Sequence, residues 1–448
     1  MGQGHSDMQI LDFFRRDKLK RFVTAVRQEG GWVAVKKTAH YVTRELAGHG
    51  RSAFGGFGTG VRRAAPQSYL GGFWQEAAQG GAFHIAKAPA TLGPARRIAM
   101  IGDLNLPQCR KYRVQQLAGF WAAQGVAYDY ADYNDTPRAV AILQNASHAM
   151  FYRTQASALT RMYLYEARRL RLPVLYDLDD PLFSVSAYET YHNMEALPAA
   201  MKAHFVAEAP RYLDAMNLAD IVTVSTPGLA EHARLYCPRP VLVRRNFADA
   251  ETLRIAGAVL AQVKKDPKSP FRVAFTSGSM GHEIDFALIG AEIAGFLDAS
   301  PNRQLVILGH FDLSLLPDAL QGRVEIHAFA DYPDYLQTLA SVDCAVMPLA
   351  DDIFNRCKSG VRVLDAAAVA VPSLVGPVGD MANIVRHGET GMVAGPQDSW
   401  RAALETLASD RAATRRMGQA ARADLQENWS VRADQPIADP ALLDWVMA

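Results

Sequence analysis

The sequence predicts an α/β protein with two doubly wound parallel-sheet domains and a basic helical extension ahead of them. The chain has 448 residues, 49% of them hydrophobic and 21% charged, which suits two domains better than one core. From residue 98 onward, short β-branched runs alternate with helical patterns of about ten residues or more. This alternation is typical of parallel sheets with helices on both faces. It stops at a polar stretch, 264–270, and then starts again.

The strand-like runs place the two predicted sheets along the chain. They are 98–101, 127–130, 148–152, 174–176, 221–224 and 241–243, then 272–275, 304–308, 323–326, 344–347 and 373–375. We therefore expect a first sheet domain at 96–250 and a second sheet domain at 268–425. Residues 426–448 are expected to form a C-terminal helical segment.

The first 95 residues have a different composition from the rest. Residues 10–47 interleave aromatic and aliphatic side chains with many lysines and arginines in a helical pattern. This pattern predicts an amphipathic helix on an anionic membrane surface. The alternative is a helix packed on the protein with a solvated basic face. Residues 48–60, which are rich in glycine, are expected to be a linker.

Composition excludes several classes of protein. The formal net charge of +1 disfavours a nucleic-acid binder that neutralises phosphates along the whole chain. The four cysteines have neither zinc-site nor disulfide-framework spacing, so we expect no metal site. There is no apolar run long enough to span a bilayer and no apolar signal core. We expect a cytoplasmic protein that the basic extension could hold on the inner face of the cell membrane.

The segment from residue 352 to residue 365 is the most informative one. Lys358, Ser359, Arg362 and Asp365 lie on a predicted turn and helix start directly after a buried strand. They would face the carboxyl end of a parallel sheet, where open α/β folds bind ligands. A lysine and an arginine suit a diphosphate, and a carboxylate suits a ribose, so the segment predicts a nucleotide-sugar site. The alternative is a basic helix start on a solvated face.

A second loop at the same predicted sheet edge follows the strand at 272–275. Gly278 and Gly281, with Ser279 between them, would let backbone amides approach a phosphate. His282 would donate a hydrogen bond to that phosphate or to a sugar hydroxyl. Neither this loop nor the first βα turn carries the GxGxxG pattern, which weighs against a nicotinamide or flavin cofactor.

The first sheet domain offers two loops at its carboxyl edge. A helix predicted to begin near Arg110 would direct Arg113 toward an acceptor or the donor diphosphate, unless it is an ordinary surface helix. Asp177, Asp179 and Asp180 follow the strand at 174–176. We expect Asp180 to cap a turn before Pro181, and Asp179 or Asp177 to hold backbone donors or acceptor hydroxyls. A shared divalent metal is the alternative.

These motifs resemble those of GT-B-fold glycosyltransferases related to family 4 (glycosyl transferases group 1), in the bacterial polysaccharide-type branch. The signatures are Pro107-Gln-Cys with Tyr112-Arg113, the run 176–183, Ser277-Gly with His282 and Asp285, Phe354-Asn with Lys358-Ser and Arg362, Val371-Pro, the run 387–391, and Trp400. They occur in order and together cover about residues 96–432. The pattern departs at Cys357, where the superfamily has an acid, and at Arg356, where close relatives often have one.

The resemblance implies two Rossmann-like domains with the active site in the cleft between them. The second domain would hold a nucleoside-diphosphate sugar, and an acceptor would face the first. Relatives of this kind usually retain anomeric configuration and need no metal, and no cofactor is expected. The expected catalytic residues are Lys358, His282 and Arg113; the donor-binding residues are Gly278, Ser279, Gly281, Phe354, Asn355, Ser359, Arg362 and Asp365; the acceptor-side residues are Gln108, Tyr112, Asp179 and Asp180.

The expected function is therefore a retaining glycosyltransferase. It would move a hexose-type sugar to a glycan or lipid-linked acceptor in cell-surface polysaccharide synthesis. Cys357 and Arg356 leave open a binding or scaffold protein with reduced catalysis. A dehydrogenase or epimerase on the same type of fold would lack its glycine fingerprint.

Overall fold

The computed structural model describes residues 95–266, 268–277, 281–312, 316, 320, 322–395, 399–431 and 437–448. They lie in one compact unit, Gly72–Ala448. The predicted basic helix and linker lie outside the described residues, as do the predicted donor-site residues Gly278 and Ser279.

The first sheet has six parallel strands in the order β2-β1-β3-β4-β5-β6. The strands are β1 Arg97–Gly102, β2 Ala127–Asp132, β3 His148–Tyr152, β4 Val174–Leu178, β5 Ile221–Val224 and β6 Val241–Val243. Every residue of β3, β4 and β5 is buried, because helices cover both faces of a parallel sheet.

The second sheet also has six parallel strands, in the order β12-β11-β10-β7-β8-β9. They are β7 Phe271–Ser277, β8 Arg303–Gly309, β9 Val324–His327, β10 Cys344–Met347, β11 Ser373–Val375 and β12 Gly391–Val393. The two parallel sheets confirm the predicted fold class. The sequence analysis missed β12, since its glycine suggests a turn. Here Gly391 is needed because any Cβ would clash with the carbonyl of Ser373 on the neighbouring strand.

Helices connect the strands. The first sheet is served by α1 Pro107–Cys109, a π-helical segment Arg110–Gln115, α2 Gln116–Ala123, α3 Thr136–Gln144, α4 Ala158–Arg169, α5 Val185–Thr190, a 3₁₀ helix His192–Ala196, α6 Ala199–Asn217 and α7 Pro227–Arg234. The second sheet is served by α8 Ala250–Gln262, α9 His282–Ala287, α10 Gly290–Asp298, α11 Tyr332–Ala340, α12 Ile353–Cys357, α13 Val361–Ala368, α14 Met381–Ile384, α15 Trp400–Ser409 and α16 Arg411–Asn428. A last helix, α17, spans Pro440–Met447.

Local sequence fixes several helix starts. Ser157, Thr226 and Asp352 accept hydrogen bonds from the backbone amides three residues on, at the starts of α4, α7 and α12. Such side chains satisfy amides that have no partner in the first turn of a helix. The cap at Asp352 matters most, because it holds the short helix that precedes Lys358.

The two sheet domains are joined by apolar packing as well as by the chain. Phe354 and Cys357 of α12 belong to the apolar cluster that covers one face of the first sheet. At the other face, Leu442 and Val446 of α17 are fully buried against β1 and α2. After α16 the chain thus leaves the second sheet domain and packs its last helix on the first.

Candidate active site

The topology places one crevice at the carboxyl end of each sheet. In the second sheet, β7 lies between β8, its successor in the chain, and β10, which follows a crossover. A strand-order reversal of this kind opens a crevice in which α/β folds bind ligands. The segments that leave β7 and β10 carry His282 and Lys358, so the structure brings two predicted catalytic residues together.

Lys358 directly follows α12 with an extended backbone. Its ammonium donates a hydrogen bond to the Tyr191 hydroxyl at 2.6 Å and lies 4.8 Å from the centroid of the same ring. Burial lowers the pKa of Lys358 to about 8, although the carboxylate of Asp285 favours its charged form. The side chain is therefore a partly buried cation at neutral pH, which suits stabilisation of a diphosphate.

Asp285 on α9 organises the other side of this crevice. It is fully buried and accepts hydrogen bonds from Asn193 Nδ2 at 2.7 Å, from the Ala350 amide at 3.1 Å and from His282 Nδ1 at 3.0 Å. Burial alone would raise the pKa of Asp285, but the bond from His282 and the charge of Lys358 lower it to about 2. Asp285 is therefore ionised and fixes the surrounding donors.

His282 is neutral in this setting. Burial, helped by the charge of Lys358, lowers the pKa of His282 to about 4. Since the Asp285 carboxylate can only accept, Nδ1 carries the proton and Nε2 is left as an acceptor. From the sequence, His282 was expected to donate a hydrogen bond to a phosphate or to a sugar hydroxyl. The neutral tautomer instead suits a hydroxyl that donates to Nε2.

Three consecutive residues of the first sheet domain, Tyr191, His192 and Asn193, reach into this crevice. Tyr191 accepts the hydrogen bond from Lys358, and Asn193 donates to Asp285. Between them, His192 Nδ1 lies 3.2 Å from Asp352 Oδ2. Sequence reasoning missed all three, because they lie at the junction of α5 and a short 3₁₀ helix and far in sequence from their partners. No local pattern in 191–193 indicates a site.

At the first sheet the strand order reverses between β1 and β3, and Arg153 directly follows β3. Arg153 has a φ of 51°, which residues with a Cβ rarely adopt. Its guanidinium lies 3.4 Å from Asp179 and 4.0 Å from Asp180, and Tyr152 donates to Asp179 at 2.9 Å. Burial and the adjacent charge of Asp179 raise the pKa of Asp180. Sequence reasoning found both aspartates but missed Arg153, although its place at a strand end was a usable signal.

Arg113, predicted to be catalytic, has no exposed surface. Its Nε donates to Asp177 at 2.6 Å and its Nη1 donates to Asn246 at 2.8 Å. Arg244 and Thr223 also donate to Asp177, at 2.9 and 2.7 Å. Arg113 therefore contacts the protein interior, because Asp177 lies within strand β4 and not in the loop that follows it. The same bonds occupy Asp177, which argues against the shared-metal alternative.

Asp365, predicted to bind the ribose, is buried on α13 and accepts a hydrogen bond from the Tyr332 hydroxyl at 2.6 Å. Lys111 of the first sheet domain lies 2.8 Å from the centroid of the Tyr332 ring. Burial raises the pKa of Tyr112 well above its usual value, and nearby Asp365 adds to this. Tyr112, predicted on the acceptor side, thus lies beside a predicted donor-binding residue. Gln108 is partly buried on α1.

Phe354 and Asn355 of α12, both predicted to bind the donor, support the loop instead. The Phe354 ring stacks on Tyr191, with centroids 4.1 Å apart and planes at 8°. Asn355 is fully buried and donates from Nδ2 to Asp352 at 2.9 Å. Both side chains therefore hold the segment that presents Lys358.

Ser359 and Arg362 continue this segment into α13. Ser359 Oγ accepts a hydrogen bond from Asn246 of the first sheet domain at 3.0 Å. Arg362 donates to the Thr276 carbonyl at 3.2 Å, at the end of β7. Arg362 and Lys358 thus place two cations at the same sheet edge.

Two residues depart from the family pattern, Cys357 and Arg356, and the side chains of both are directed away from the Lys358 ammonium. Cys357 is 1% exposed, with its sulfur 3.9 Å from the Gly228 carbonyl of the first sheet domain, and burial raises the pKa of its thiol to about 12. Arg356 is 62% exposed and pairs with Asp351 at 2.6 Å. The thiol is therefore an interdomain packing group, and Arg356 faces solvent.

Within the described part of the chain, no group of three or more His, Cys, Asp or Glu side chains could hold a metal ion. None of the helices in that part is long and apolar enough to cross a bilayer.

Comparison with known proteins agrees with this architecture. Residues 272–410 match the family described as Glycosyl transferases group 1. No curated protein sequence matches the chain significantly.

Three solved structures share the fold, each with a TM-score of 0.50. Sucrose-phosphate synthase from Thermosynechococcus elongatus is 16% identical, over 75% of this chain and 95% of that one. A glycosyltransferase from Rickettsia africae ESF-5 is 11% identical, over 79% and 96%. WaaG, a glycosyltransferase involved in lipopolysaccharide biosynthesis, is 12% identical, over 78% and 98%. The chain therefore has the two-domain GT-B fold of these structures, and its residues 272–410 are similar to the family described as Glycosyl transferases group 1.

Proposed function

We propose that this protein is a retaining, metal-independent glycosyltransferase that moves a hexose-type sugar from a nucleoside diphosphate to a glycan or lipid-linked acceptor. The observation that carries the proposal is the Lys358 ammonium at the strand-order reversal of the second sheet. It is one of two cations at that edge, with Arg362 the other, and both are partly buried.

In the proposed reaction, the bond between the anomeric carbon and the diphosphate oxygen breaks, and a bond to the acceptor oxygen forms on the same face. The electron pair of the broken bond leaves with the diphosphate, whose departing oxygen takes up the proton that the acceptor hydroxyl loses. Lys358 stabilises the departing negative charge, which is worth most in a partly dry site. His282 Nε2 accepts a hydrogen bond from a sugar hydroxyl, and Asp365 binds the ribose.

The acceptor is proposed to bind at the carboxyl edge of the first sheet. Asp179 and Asp180 are 21% and 31% exposed there, and Arg153 lies between them and β3. Carboxylates at this edge can accept hydrogen bonds from acceptor hydroxyls. The classes of donor and acceptor, and a role in cell-surface polysaccharide synthesis, are part of the proposal. They rest on the family resemblance.

The test is a panel of nucleoside-diphosphate sugars and acceptors, with release of nucleoside diphosphate as the readout. We expect Lys358→Ala to lower turnover by about 10² to 10³. Arg356→Ala is the matched control, because it removes a cation two residues away whose side chain faces solvent. Equal turnover by wild type and Lys358→Ala would remove Lys358 from the mechanism.

A binding protein with reduced catalysis is the second candidate. It is favoured by Cys357, which provides a buried thiol at a position where the superfamily has an acid. Calorimetric binding of a nucleotide sugar, without release of nucleoside diphosphate across the acceptor panel, would support this candidate over the enzyme.

We also propose peripheral attachment of this protein to an anionic membrane through its basic extension. The support is the sequence of residues 10–47, since cations near an anionic leaflet contribute about 1 kcal/mol each. Removing residues 1–60 should move the protein from sedimented phosphatidylserine vesicles into the supernatant. Unchanged sedimentation would refute the attachment.

A further inference from the structure

Two side chains of the first sheet domain bind charged groups of the second sheet domain, the Lys358 ammonium and the Asp285 carboxylate. Tyr191 accepts the hydrogen bond from Lys358 at 2.6 Å, and Asn193 donates to Asp285 at 2.7 Å. The backbone continues the contact, because a Cβ on Gly281 would lie 2.9 Å from the Asn193 carbonyl. The strap, as we call residues 191–193, therefore fits closely against α9 and α12.

We propose that Tyr191 and Asn193 are positioning residues of the nucleotide-sugar site, so that the site is complete only when both sheet domains contribute to it. This inference rests on the proposed function, in which Lys358 binds the diphosphate.

Tyr191 limits the freedom of Lys358. A lysine side chain has four rotatable bonds, and fixing it costs conformational entropy that a ligand would otherwise have to offset. The Tyr191 hydroxyl takes one of the three ammonium hydrogens, and the ring of Phe354 lies 5.8 Å from the nitrogen. The two remaining hydrogens are available to a diphosphate.

Asn193 acts on the other half of the site. Its amide donates to the same Asp285 oxygen that lies 3.0 Å from His282 Nδ1. Asn193 is 2% exposed, so this bond is shielded from water. Holding Asp285 in place fixes the proton on His282 Nδ1 and leaves Nε2 to the sugar.

The test must separate the role of Tyr191 from the general electrostatics around Lys358. The ionisable groups that face Lys358 are Asp285 and His282 of α9, Arg362 of α13, Asp352 ahead of α12, Asp180 after β4, and Tyr191 itself. Tyr191→Phe keeps the ring and all of the other groups. It removes an acceptor that favours the charged lysine, so the Lys358 titration should move to lower pH.

The experiment uses the full chain and two readouts. The first is the rate at which an amine reagent labels Lys358 as a function of pH, followed by peptide mass spectrometry. The second is the calorimetric affinity for uridine diphosphate and guanosine diphosphate. For Tyr191→Phe we expect the labelling profile to move to lower pH and the dissociation constant to rise about three- to tenfold.

The matched control is Tyr188→Phe. Tyr188 lies on the neighbouring helix α5 and its ring is 5.5 Å from Phe354, but it makes no hydrogen bond to Lys358. Both readouts should stay at the wild-type values. Asn193→Ala is a second test variant, and it should weaken nucleotide binding. It should also lower the melting temperature, because Asp285 loses a buried donor, so its binding is measured well below the unfolding transition.

The outcomes separate the two claims. An unchanged Lys358 labelling profile in Tyr191→Phe overturns the positioning role, whatever the nucleotide affinity does. Wild-type affinity in Lys358→Ala overturns the proposed function instead. A shifted profile with intact nucleotide binding in Tyr191→Phe would also count against the inference, since the strap would then affect the lysine but not the site.

Discussion

At the residue scale, Lys358 should make nucleotide binding sensitive to pH. The pKa of Lys358 in the free protein is lowered to about 8, so the charged form that a diphosphate prefers is lost above that pH. We expect the affinity for nucleoside diphosphate to be flat below pH 8 and to fall above it, by at most about tenfold per pH unit. His282 and Asp285 do not interfere, because their pKa values of about 4 and about 2 lie far below this range.

Calorimetry at a series of pH values checks this expectation. Lys358→Arg is the control, since a guanidinium stays charged throughout and should make the profile flatter. Any fall in affinity that this variant keeps is assigned to other groups, such as Lys111, whose pKa burial also lowers to about 8. A flat profile in the wild type between about pH 7 and 9.5 would show that Lys358 does not bind the diphosphate.

Substitution of Asp177 should destabilise the protein more than substitution of Arg113. Asp177 has two buried arginine partners, Arg113 and Arg244. Asp177→Ala removes the buried carboxylate that both guanidiniums share and should lower the free energy of unfolding by about 3–5 kcal/mol. Arg113→Met leaves the Asp177–Arg244 pair intact and should cost less. Urea unfolding measures both, and a larger loss for Arg113→Met would contradict this account.

Residue types and spacing predicted which side chains gather at the sheet edge, but not which way each one points. Asp179 directly follows a strand and Lys358 lies on the segment that leaves β10, and parallel strands bring their carboxyl ends together. Arg113 lies on a helix, and a π-helical segment there changes the direction of its side chain relative to a regular α-helix. Tyr191 could not be found, because its role depends on a partner 167 residues away.

At the element scale, the fit between the strap and α9 depends on Gly281. Its φ is 100°, and a Cβ would lie 2.9 Å from the Asn193 carbonyl. Gly281→Ala should therefore displace the strap and weaken nucleotide binding, besides costing about 1–3 kcal/mol of backbone strain.

Gly388→Ala isolates the effect of strain. Gly388 also has a positive φ, 78°, but a Cβ there meets nothing within 4 Å. Both variants should lose stability in thermal unfolding, Gly281→Ala more because of the added clash, and only Gly281→Ala should lose affinity for nucleoside diphosphate. Equal affinities in the two variants would mean that the strap does not contact the site tightly.

Elements were predictable where the pattern is local. The β-branched runs predicted eleven of the twelve strands found among the described residues, because burial on both faces leaves an apolar signature. β12 has three residues and a glycine that backbone proximity requires, so its sequence resembles that of a turn.

At the scale of the whole molecule, the two sheets were predictable but their joining was not. Alternating strands and helices indicate two domains wherever the alternation restarts. The packing of α17 on the first sheet cannot be predicted from the sequence pattern, since an amphipathic helix does not specify which apolar surface it covers. The same holds for α12, whose Phe354 and Cys357 pack with the first sheet domain.

The packing of α17 predicts which sheet becomes less protected against hydrogen exchange when this helix is destabilised. Leu442 is fully buried in an apolar cluster that includes residues of β1, β3, β4, β5 and α2 and none from the strands of the second sheet. Leu442→Ala should cost about 2–5 kcal/mol. Hydrogen exchange should accelerate in β1 and β3 more than in β7 and β10. Met447→Ala, at an exposed position of the same helix, should change neither. Equal acceleration in both sheets would mean that the two domains open as one cooperative unit, with the strap and α12 strong enough to couple them.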